Sequence, residues 1–379
     1  MNLASQSRQR ITKLIPLTDV LERIDALVRA VEPSTVELAA AAGCVLAADV
    51  VAGAPVPTVP TALLDGWAVN SERVADASDN APVPLHEAPS WAELGSAVVS
   101  IADAIVPPDA VMLFGRGAEV FVAATPGDGM IPVGGEVGRG EVLRRTGEGL
   151  RGVDIALLCA SGVTEVQVRI PSVKIVTATR HVDLKTDTVG PLAARLVAAQ
   201  GGVAQLTRVG GRVDYALEEE LISADAHALI VVGGTGAGRR DHSIETLARI
   251  GRVEAHGIAL APGTTAAFGL LGTRPVLLVP GRLDAALAVL LTMGSRLLAC
   301  LTGAAPAESP RRLRIARKVS SALGLAEVVM VRRGADELEP MARQFLSLRA
   351  LARSDGWILV PAQSEGHAPG SMVEMLPLP

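Results

Sequence analysis

The chain has 379 residues, a formal net charge of −5, 49% apolar residues and only 2% aromatic residues. This length allows several domains with packed cores. The acidic balance and the shortage of aromatic platforms argue against a nucleic-acid-binding protein. No uninterrupted apolar run reaches the roughly 20 residues of a membrane span, and the polar start of the chain lacks the apolar centre of a signal peptide. We therefore expect a cytoplasmic protein with no nucleic-acid or membrane partner.

The cysteines fit the same expectation. Cys44, Cys159 and Cys300 all lie in apolar contexts, and no two of them form a CxxC pair. An odd number of cysteines gives no disulfide framework, so the sequence predicts three buried thiols in a reducing compartment.

An amphipathic helix is the first predicted element. Apolar side chains recur at helical spacing from Leu17 to Val31, Thr18 is a suitable N-cap, and Pro33 ends the pattern. The alanine-rich stretch 36–52 predicts a second helix that turns at Gly43. A proline-rich, irregular segment follows it.

The chain changes character twice after that. Between about 70 and 145, short apolar runs alternate with Pro, Gly and Asp, which predicts a small β-rich domain. From 169 onwards, predicted strands alternate with helices, ending in a long apolar helix over 283–301. This alternation predicts a parallel, three-layer α/β domain. The last 75 residues or so return to short strands and Gly/Pro turns, typical of a small β-barrel.

The most informative stretch is VVGGTGAGRRDHS (231–243), which connects a predicted strand to a predicted helix. Backbone N–H groups in such a loop can converge on an anion, helped by the helix dipole. The loop is no dinucleotide fingerprint, because Arg239 falls where the third glycine belongs. It is no Walker A loop either, because Arg239 and Arg240 replace the Lys and Ser/Thr. A different phosphate-bearing ligand and a plain strand–helix turn both stay open.

Further segments share an order along nearly the whole chain with motifs of one known family. These segments are AGCVLAADVVAGAPVP (42–57), LLDGWAV (63–69), GEVLRRTGEGL (140–150), GGTGAGRRD (233–241), HGIALAPGTTAAFG (256–269) and LLVPG (277–281). Together they resemble the molybdopterin molybdotransferase family, which includes the bacterial molybdenum-insertion proteins and the gephyrin E domain. Members of that family make molybdenum cofactor from adenylylated molybdopterin and molybdate.

The resemblance implies an α/β multidomain chain in an elongated homodimer. It assigns a discontinuous N-terminal domain with a helical segment to 1–55 and 145–172, and a small β-rich domain to 56–144. It assigns a three-layer α/β molybdopterin-binding domain to 173–303 and a small C-terminal β-barrel to 304–379. It also implies Mg²⁺ and a cofactor site across the subunit interface.

The site residues follow from the same resemblance. Asp65 and Asp241 match acidic residues of the family and are expected to be catalytic and to bind Mg²⁺, which prefers carboxylate oxygens. The expected ligand-binding residues are Gly233, Gly234, Thr235, Gly236, Ala237, Gly238, Arg239, Pro262, Gly263, Pro280 and Gly281.

Several charged positions of the family are lost in this chain. TGDEL becomes TRHVD (179–183), so Val182 can neither bind Mg²⁺ nor accept a proton. The two lysines of KPGKP become Ala261 and Thr264, PGNP becomes PGRL, and Gly149 replaces an aspartate. Four arginines offer positive charge from other positions. They are Arg180, Arg239, Arg240 and Arg282.

Histidines replace some of the lost acids. His181, His227 and His242 can form a transition-metal site with Asp241 if their strand ends converge. Ordinary polar loop residues are the favoured alternative, because no HxH or HxxxH spacing occurs. Trp67 beside Asp65 is expected either to pack on a pterin ring or to fill a core position.

Two functions are compatible with this sequence. The first is a molybdotransferase-like enzyme that inserts molybdate into adenylylated molybdopterin and releases AMP. The second is a non-catalytic molybdopterin-binding carrier, insertion chaperone or regulatory protein, which acts with a molybdoenzyme or another cofactor-biosynthesis protein. The loss of TGDEL, KPGKP and PGNP residues leaves both open.

Overall fold

The computed structural model describes residues 11–98, 101–178, 187–209, 213–238, 241–306 and 311–378. It begins with strand β1 (Ile15–Pro16) and helix α1 (Leu17–Leu27). The buried face of α1 packs into the largest hydrophobic core. Thr18 does not cap this helix, because Pro16 occupies the N-cap position and the Thr18 hydroxyl donates to the Asp19 carboxylate instead. The helix also ends at Leu27, well before Pro33.

The predicted second helix over 36–52 is wrong. The stretch contains a 3-10 turn (Leu38–Ala40) between short strands: β2 (Ser34–Glu37), β3 (Val45–Leu46) and β4 (Val50–Val51). Strands β2 and β3 both pair antiparallel with the strand Glu165–Arg169, far along the chain. This pairing outweighs the helix propensity of the alanines.

A small β-rich unit follows, as predicted. Its elements are β5 (Thr61–Ala62), β6 (Gly66–Val69), α2 (Ser71–Val74), β7 (Val83–Leu85), β8 (Ser90–Ala92), β9 (Ala104–Val106), β10 (Val111–Phe114), β11 (Gly117–Val120) and β12 (Met130–Ile131). They form three small sheets with the orders β10-β11-β7, β8-β6-β9 and β12-β5.

The chain then returns to the N-terminal unit. The returning elements are β13 (Val142–Arg144), α3 (Gly152–Ala160) and β14 (Glu165–Arg169). Strand β13 pairs with β4, and β14 pairs with β2 and β3. The segments on either side of the β-rich unit therefore share one small hydrophobic core, which includes Leu46 and Leu158.

The first half of the α/β domain alternates strands and helices as predicted, whereas the second half has four strands in succession before its helices. Its first half contains β15 (Ser172–Ala178), α4 (Val189–Ala199), β16 (Val203–Val209), α5 (Val213–Ser223), β17 (Ala228–Val232) and α6 (Ser243–Ile250). Its second half contains β18 (Arg252–His256), β19 (Ile258–Ala261), β20 (Ala267–Leu271), β21 (Arg274–Val279), α7 (Leu283–Val289), a π-helical turn (Leu290–Gly294) and α8 (Ser295–Thr302).

Six of these strands form one mixed sheet in the order β16-β15-β17-β21-β20-β18. The first four strands are mutually parallel, whereas β20 runs antiparallel to both of its neighbours. Strands β15, β17 and β21 therefore place their carboxyl ends on one edge of the sheet. Crevices outside such an edge are where open α/β sheets bind ligands.

The continuous helix Leu283–Thr302 is long and apolar enough to cross a membrane by length and composition, with a mean hydropathy of 1.8. However, 78% of its most apolar window is buried inside the protein. Its buried side chains belong to the same core as those of α1 and the six-stranded sheet. We interpret it as a core helix of the α/β domain.

The C-terminal region is a closed five-stranded barrel, which confirms the predicted small barrel. Its elements are β22 (Arg311–Ile315), β23 (Val319–Ser320), β24 (Ala326–Arg333), β25 (Glu337–Ala342), α9 (Leu348–Leu351), β26 (Gly356–Val360), β27 (Gly366–His367) and β28 (Met372–Pro377). The ring runs β24-β25-β22-β28-β26 and closes through pairing of β26 with β24. Strand β19 pairs parallel with β24, so the barrel is joined directly to the α/β domain.

The cysteines do not share one environment. Cys44 is buried and Cys300 is half-buried, whereas Cys159 is exposed on α3. The expectation of three buried thiols is therefore wrong for Cys159. Its position on a short helix with one solvent-facing side explains the difference.

Candidate ligand-binding site

A cavity of about 720 Å³ lies at the carboxyl edge of the six-stranded sheet. The last residue of β15 and the segments after β17, β19 and β21 contribute to its wall, and the barrel adds one residue. The lining residues are Ala178, Gly233, Gly234, Thr235, Gly236, Asp241, Ala261, Pro262, Gly263, Thr264, Thr265, Pro280, Gly281, Arg282, Ala285 and Gln344.

The glycine loop leaves β17 in a conformation that needs glycine. Gly233 and Gly234 have φ angles of +90° and +70°, which L side chains rarely adopt. A Cβ atom on Gly234 would lie 2.4 Å from the Ser243 hydroxyl oxygen. That hydroxyl donates to the Gly233 carbonyl at 2.8 Å, and the Ser243 N–H donates to the Gly234 carbonyl at 3.1 Å. The first residue of α6 therefore fixes the start of the loop.

Further glycines in the loop leave room for an acidic side chain. The Asp241 carboxylate accepts the Gly238 N–H at 3.1 Å through Oδ2. A Cβ atom on Gly236 would come within 2.7 Å of the same oxygen. The bare backbone thus lets Asp241 fold back over the loop while it lines the cavity.

The opposite wall is tied to the loop through hydroxyl and imidazole groups. Buried Thr235 shares a 3.1 Å hydrogen bond with Thr265, hydroxyl to hydroxyl. The His256 ring interacts with the Thr235 backbone. Burial lowers the pKa of His256, and the hydrogen bond to Thr235 partly opposes this shift. His256 is therefore expected to be neutral at pH 7 and to add no charge to the site.

Charge is sparse in the described part of the cavity wall. Asp241 and Arg282 are the charged residues among the lining positions. The Arg282 guanidinium pairs with Asp284 at 2.7 Å and lies 5.6 Å from the centre of the Phe345 ring. Three arginines that we expected to restore positive charge, Arg180, Arg239 and Arg240, lie outside the described residues.

Most of the residues that the sequence analysis assigned to the ligand meet in this cavity. They are Gly233, Gly234, Thr235, Gly236, Pro262, Gly263, Pro280 and Gly281, together with Asp241. Ala237 and Gly238 are exposed and do not line it, and Arg239 lies outside the described residues. The binding roles themselves remain predictions.

Asp65 is placed elsewhere in the chain. It is exposed between β5 and β6, and it accepts the Leu94 N–H at 2.8 Å. It does not line the cavity that contains Asp241. Nearby Trp67 packs edge-on against Trp91 at 5.0 Å and donates from Nε1 to the Pro108 carbonyl. Trp67 thus takes part in the packing of the β-rich unit.

The structure argues against the histidine metal site. His227 precedes β17, at the opposite end of that strand from the glycine loop, a separation of about 15 Å for five extended residues. Its Nδ1 accepts the Ser172 N–H at 2.9 Å. His242 lies 3.4 Å from Glu245, and His181 falls outside the described residues. Within the described ranges, no three His, Cys, Asp or Glu side chains form a group able to hold a metal.

Some lining residues were not assigned to the site from the sequence. Thr265 lies in the segment after β19, and Ala285 lies in the first turn of α7. Both are near residues that were assigned. Gln344 comes from the barrel, and no motif pointed to it. Its one distinctive feature is a φ angle of +57°, and this backbone conformation cannot be read from the sequence.

Two family descriptions match the chain. Residues 15–162 match "MoeA N-terminal region (domain I and II)", and residues 174–299 match "Probable molybdopterin binding domain". All the cavity-lining residues from Ala178 to Ala285 lie inside the second match.

Relatives of similar length extend this likeness. A Methanocaldococcus jannaschii protein named for molybdopterin biosynthesis is 22% identical over 370 residues, covering 90% of this chain and 91% of the relative. Molybdopterin molybdenumtransferase 2 of Mycobacterium tuberculosis is 25% identical over 291 residues, covering 67% of this chain and 72% of the relative. The solved structure of the molybdopterin biosynthesis MoeA protein of Pyrococcus horikoshii has the same fold. Its TM-score is 0.76 at 22% identity, and 96% of this chain and 99% of that chain are covered.

Proposed function

This chain belongs to the molybdopterin molybdotransferase family of molybdenum cofactor biosynthesis, and we propose that its cavity binds adenylylated molybdopterin and accepts molybdate. The observation that carries the proposal is the glycine loop. Its backbone lines the cavity in a conformation that glycine favours, inside the segment that matches a molybdopterin binding domain. The reaction proposed for the site is molybdate insertion with release of AMP.

The glycine loop is proposed to hold phosphate through its backbone. Gly234 and Gly236 carry no side chain that would keep a phosphate oxygen away from the loop backbone. The loop also leads into α6, whose N-terminal dipole favours an anion. Thr264 and Thr265 on the facing wall add hydroxyl groups, which bind phosphate oxygens without adding charge.

Asp241 fits Mg²⁺ as a single carboxylate ligand. Protein-bound Mg²⁺ commonly takes one or two carboxylates and completes its shell with water and substrate phosphates. A bound Mg²⁺ would neutralise charge on the phosphates as the bond to AMP breaks. Asp241 would orient the ion, and its own orientation is fixed by the Gly238 N–H.

Asp65 enters the proposal through a second subunit. Asp65 does not line the cavity of its own chain, whereas the family arrangement places the site across a dimer interface. We therefore include a cytoplasmic homodimer, in which Asp65 of one subunit completes the site of the other. The four-domain division given above is part of the same proposal.

A non-catalytic carrier is the second candidate. It is favoured by Ala261 and Thr264, which line the cavity where the family motif has lysines. A cavity with less fixed positive charge can hold the pterin through backbone contacts and yet fail to stabilise charge in the transition state. The chain would then function by delivering its bound molybdopterin to a molybdoenzyme.

Calorimetry of the full-length protein distinguishes the two candidates. Adenylylated molybdopterin and molybdopterin are titrated with and without Mg²⁺, and AMP is measured after molybdate is added. Binding followed by molybdate-dependent AMP release supports the enzyme, and binding without release supports the carrier. Absence of binding to either pterin would refute both candidates.

The Asp241→Asn variant tests the role of that carboxylate within the same experiment. We expect it to bind the pterin but to lose the effect of Mg²⁺ on affinity and on AMP release. Asp79→Asn, an exposed aspartate in the β-rich unit, is the matched control and should behave as the wild type.

A further inference from the structure

We propose that Arg282, Gln344 and Phe345 form a subsite at the mouth of the cavity for a heteroaromatic ring attached to a phosphate. Arg282 and Gln344 line the cavity, and Phe345 lies against Arg282. The inference rests on the proposed function, because it assigns the ring end of the same ligand whose phosphates contact the glycine loop. It adds a specificity element that comes from the barrel rather than from the α/β domain.

Phe345 stays exposed beside the cavity-lining Arg282, although burial would be more favourable for it. Its side chain is 63% exposed, so most of its apolar surface remains in contact with water. The Arg282 guanidinium carbon lies 5.6 Å from the ring centre, within the range of a cation–π interaction. The guanidinium lies over the ring, and the exposed remainder of the Phe345 side chain offers a planar apolar surface that suits a stacked base or pterin.

The backbone of Gln344 is held in an unfavourable conformation. Among the residues whose placement is described, Gln344 is the one non-glycine with a positive φ angle, +57°. Such conformations cost energy in L-residues and persist where surrounding contacts impose them. The conformation places Gln344 in the cavity wall, where its amide offers both a donor and an acceptor to ring nitrogens and carbonyls.

Contacts on both sides fix this segment to the protein. Leu346, which follows Phe345, is 2% exposed and belongs to the main hydrophobic core. Arg343, which precedes Gln344, lies 3.9 Å from the carboxylate of Glu327, itself only 1% exposed. Glu327 pairs across strands with Ala261, another cavity-lining residue. The segment 343–345 is therefore anchored to the same strand pair that joins the barrel to the α/β domain.

Arg282 retains the capacity to bind phosphate beside the ring. One of its terminal nitrogens donates to Asp284 at 2.7 Å, and a guanidinium has five N–H donors in all. A cation next to an aromatic face matches the chemistry of a ring a few bonds from a phosphate. Adenylate and pterin phosphate both have this chemistry, so the shared group is the phosphorylated heteroaromatic ring.

The test uses the full-length protein and three probes: AMP, molybdopterin, and ribose 5-phosphate as a phosphate without a ring. Calorimetry is performed on wild type, Phe345→Ala, Phe345→Trp and Arg282→Ala. Phe114→Ala is the matched control, since Phe114 is 49% exposed on β10 in the β-rich unit. Thermal unfolding and circular dichroism verify that each variant is folded.

We expect Phe345→Ala to weaken binding of at least one ringed probe about tenfold, the loss typical of one stacking contact, without changing ribose 5-phosphate binding. Phe345→Trp should preserve affinity, and Arg282→Ala should weaken all three probes. A loss confined to AMP assigns the subsite to adenine, and a loss confined to molybdopterin assigns it to the pterin. Wild-type affinity of Phe345→Ala for both ringed probes would overturn the subsite but leave the proposed function standing. Failure of the wild type to bind these probes and adenylylated molybdopterin alike would overturn both.

Discussion

Among the described acidic residues of the N-terminal unit, Asp154 has the most strongly lowered pKa. Its side chain is 1% exposed and takes hydrogen bonds from Arg151 and Arg144. It also accepts the Arg151 backbone N–H at 2.8 Å at the start of α3. Hydrogen bonds from Arg151, above all, and from Arg144 lower the pKa of Asp154 well below its usual range, against the opposing effect of burial.

The depressed pKa predicts an acid-sensitive contribution to stability. A carboxylate of this kind stabilises the fold fully above the pKa of an unfolded aspartate, about 3.9, and loses that effect as pH falls towards its folded pKa. We expect Asp154→Asn to lower the free energy of unfolding by about 3 kcal/mol at pH 7, with the difference shrinking below about pH 4. Urea unfolding of the wild type and the variant at several pH values measures this difference in free energy. A difference that is constant with pH would contradict the assignment, and exposed Asp79→Asn is the control.

Gly234 is predicted to be irreplaceable for local reasons. Alanine there would need φ near +70° and would bring its Cβ to 2.4 Å from the Ser243 hydroxyl. We expect Gly234→Ala to lower the melting temperature, because the left-handed backbone alone costs about 1–2 kcal/mol, and to weaken molybdopterin binding, because the displaced loop presents a different backbone to the phosphate. Gly281→Ala is the stability control, since its Cβ would meet only the Gly233 Cα, at 3.6 Å. Equal melting temperatures for the two variants would refute the steric argument.

The three cysteines have different surroundings and are expected to differ in reactivity. Cys300 on α8 faces Asp25 of α1, and burial followed by the Asp25 interaction raises its pKa to about 11. Burial also raises the pKa of Cys44, whereas Cys159 is exposed on α3. A thiol with a pKa near 11 is about 0.1% thiolate at pH 8, and the thiolate is the reactive form. The packing of α1 on α8 therefore protects Cys300.

We expect one thiol of the native protein to react quickly with a disulfide reagent at pH 8, and peptide mapping should identify it as Cys159. Cys159→Ser should abolish the fast phase and leave the slow one, whereas Cys300→Ser should leave the fast phase intact. A fast phase that survives Cys159→Ser would contradict the assignment, and its loss in Cys159→Ser/Cys300→Ser would show that α1 and α8 separate in solution.

The elements with strong periodicity and clear stop signals could be predicted. Helix α6 follows the glycine loop as predicted, and it spans Ser243–Ile250. The stretch 36–52 could not be predicted, because its conformation depends on pairing with β14, more than 100 residues later. Local propensity carries no information about such a partner.

The same distinction applies to the candidate site. The glycine loop could be recognised because the sequence itself shows closely spaced glycines between a predicted strand and a predicted helix. Phe345 and Gln344 could not, because the closure of the barrel and the pairing of β19 with β24 bring them to the cavity. Residues that reach a site through tertiary pairing alone leave no local pattern.

At the scale of the whole molecule, the two candidate acidic residues lie on different units. Asp241 lines the cavity of the α/β domain, while Asp65 belongs to the β-rich unit and does not line it. A site that needs both carboxylates can therefore be completed by a second chain. In a symmetric dimer each subunit would give Asp65 to its partner and receive the partner's in return.

Subunit complementation tests this arrangement. We expect Asp65→Asn and Asp241→Asn to lack molybdate-dependent AMP release when each is pure. Co-expressed in equal amounts, they should recover about 25% of wild-type activity, because half of the dimers are mixed and each mixed dimer contains one intact site of two. Mixed dimers isolated with two different affinity tags should reach about half of wild-type activity per dimer. Sites within single chains would give no recovery, since every chain would then lack one of the two carboxylates. Sedimentation of the wild type as a monomer would contradict the shared site independently of activity.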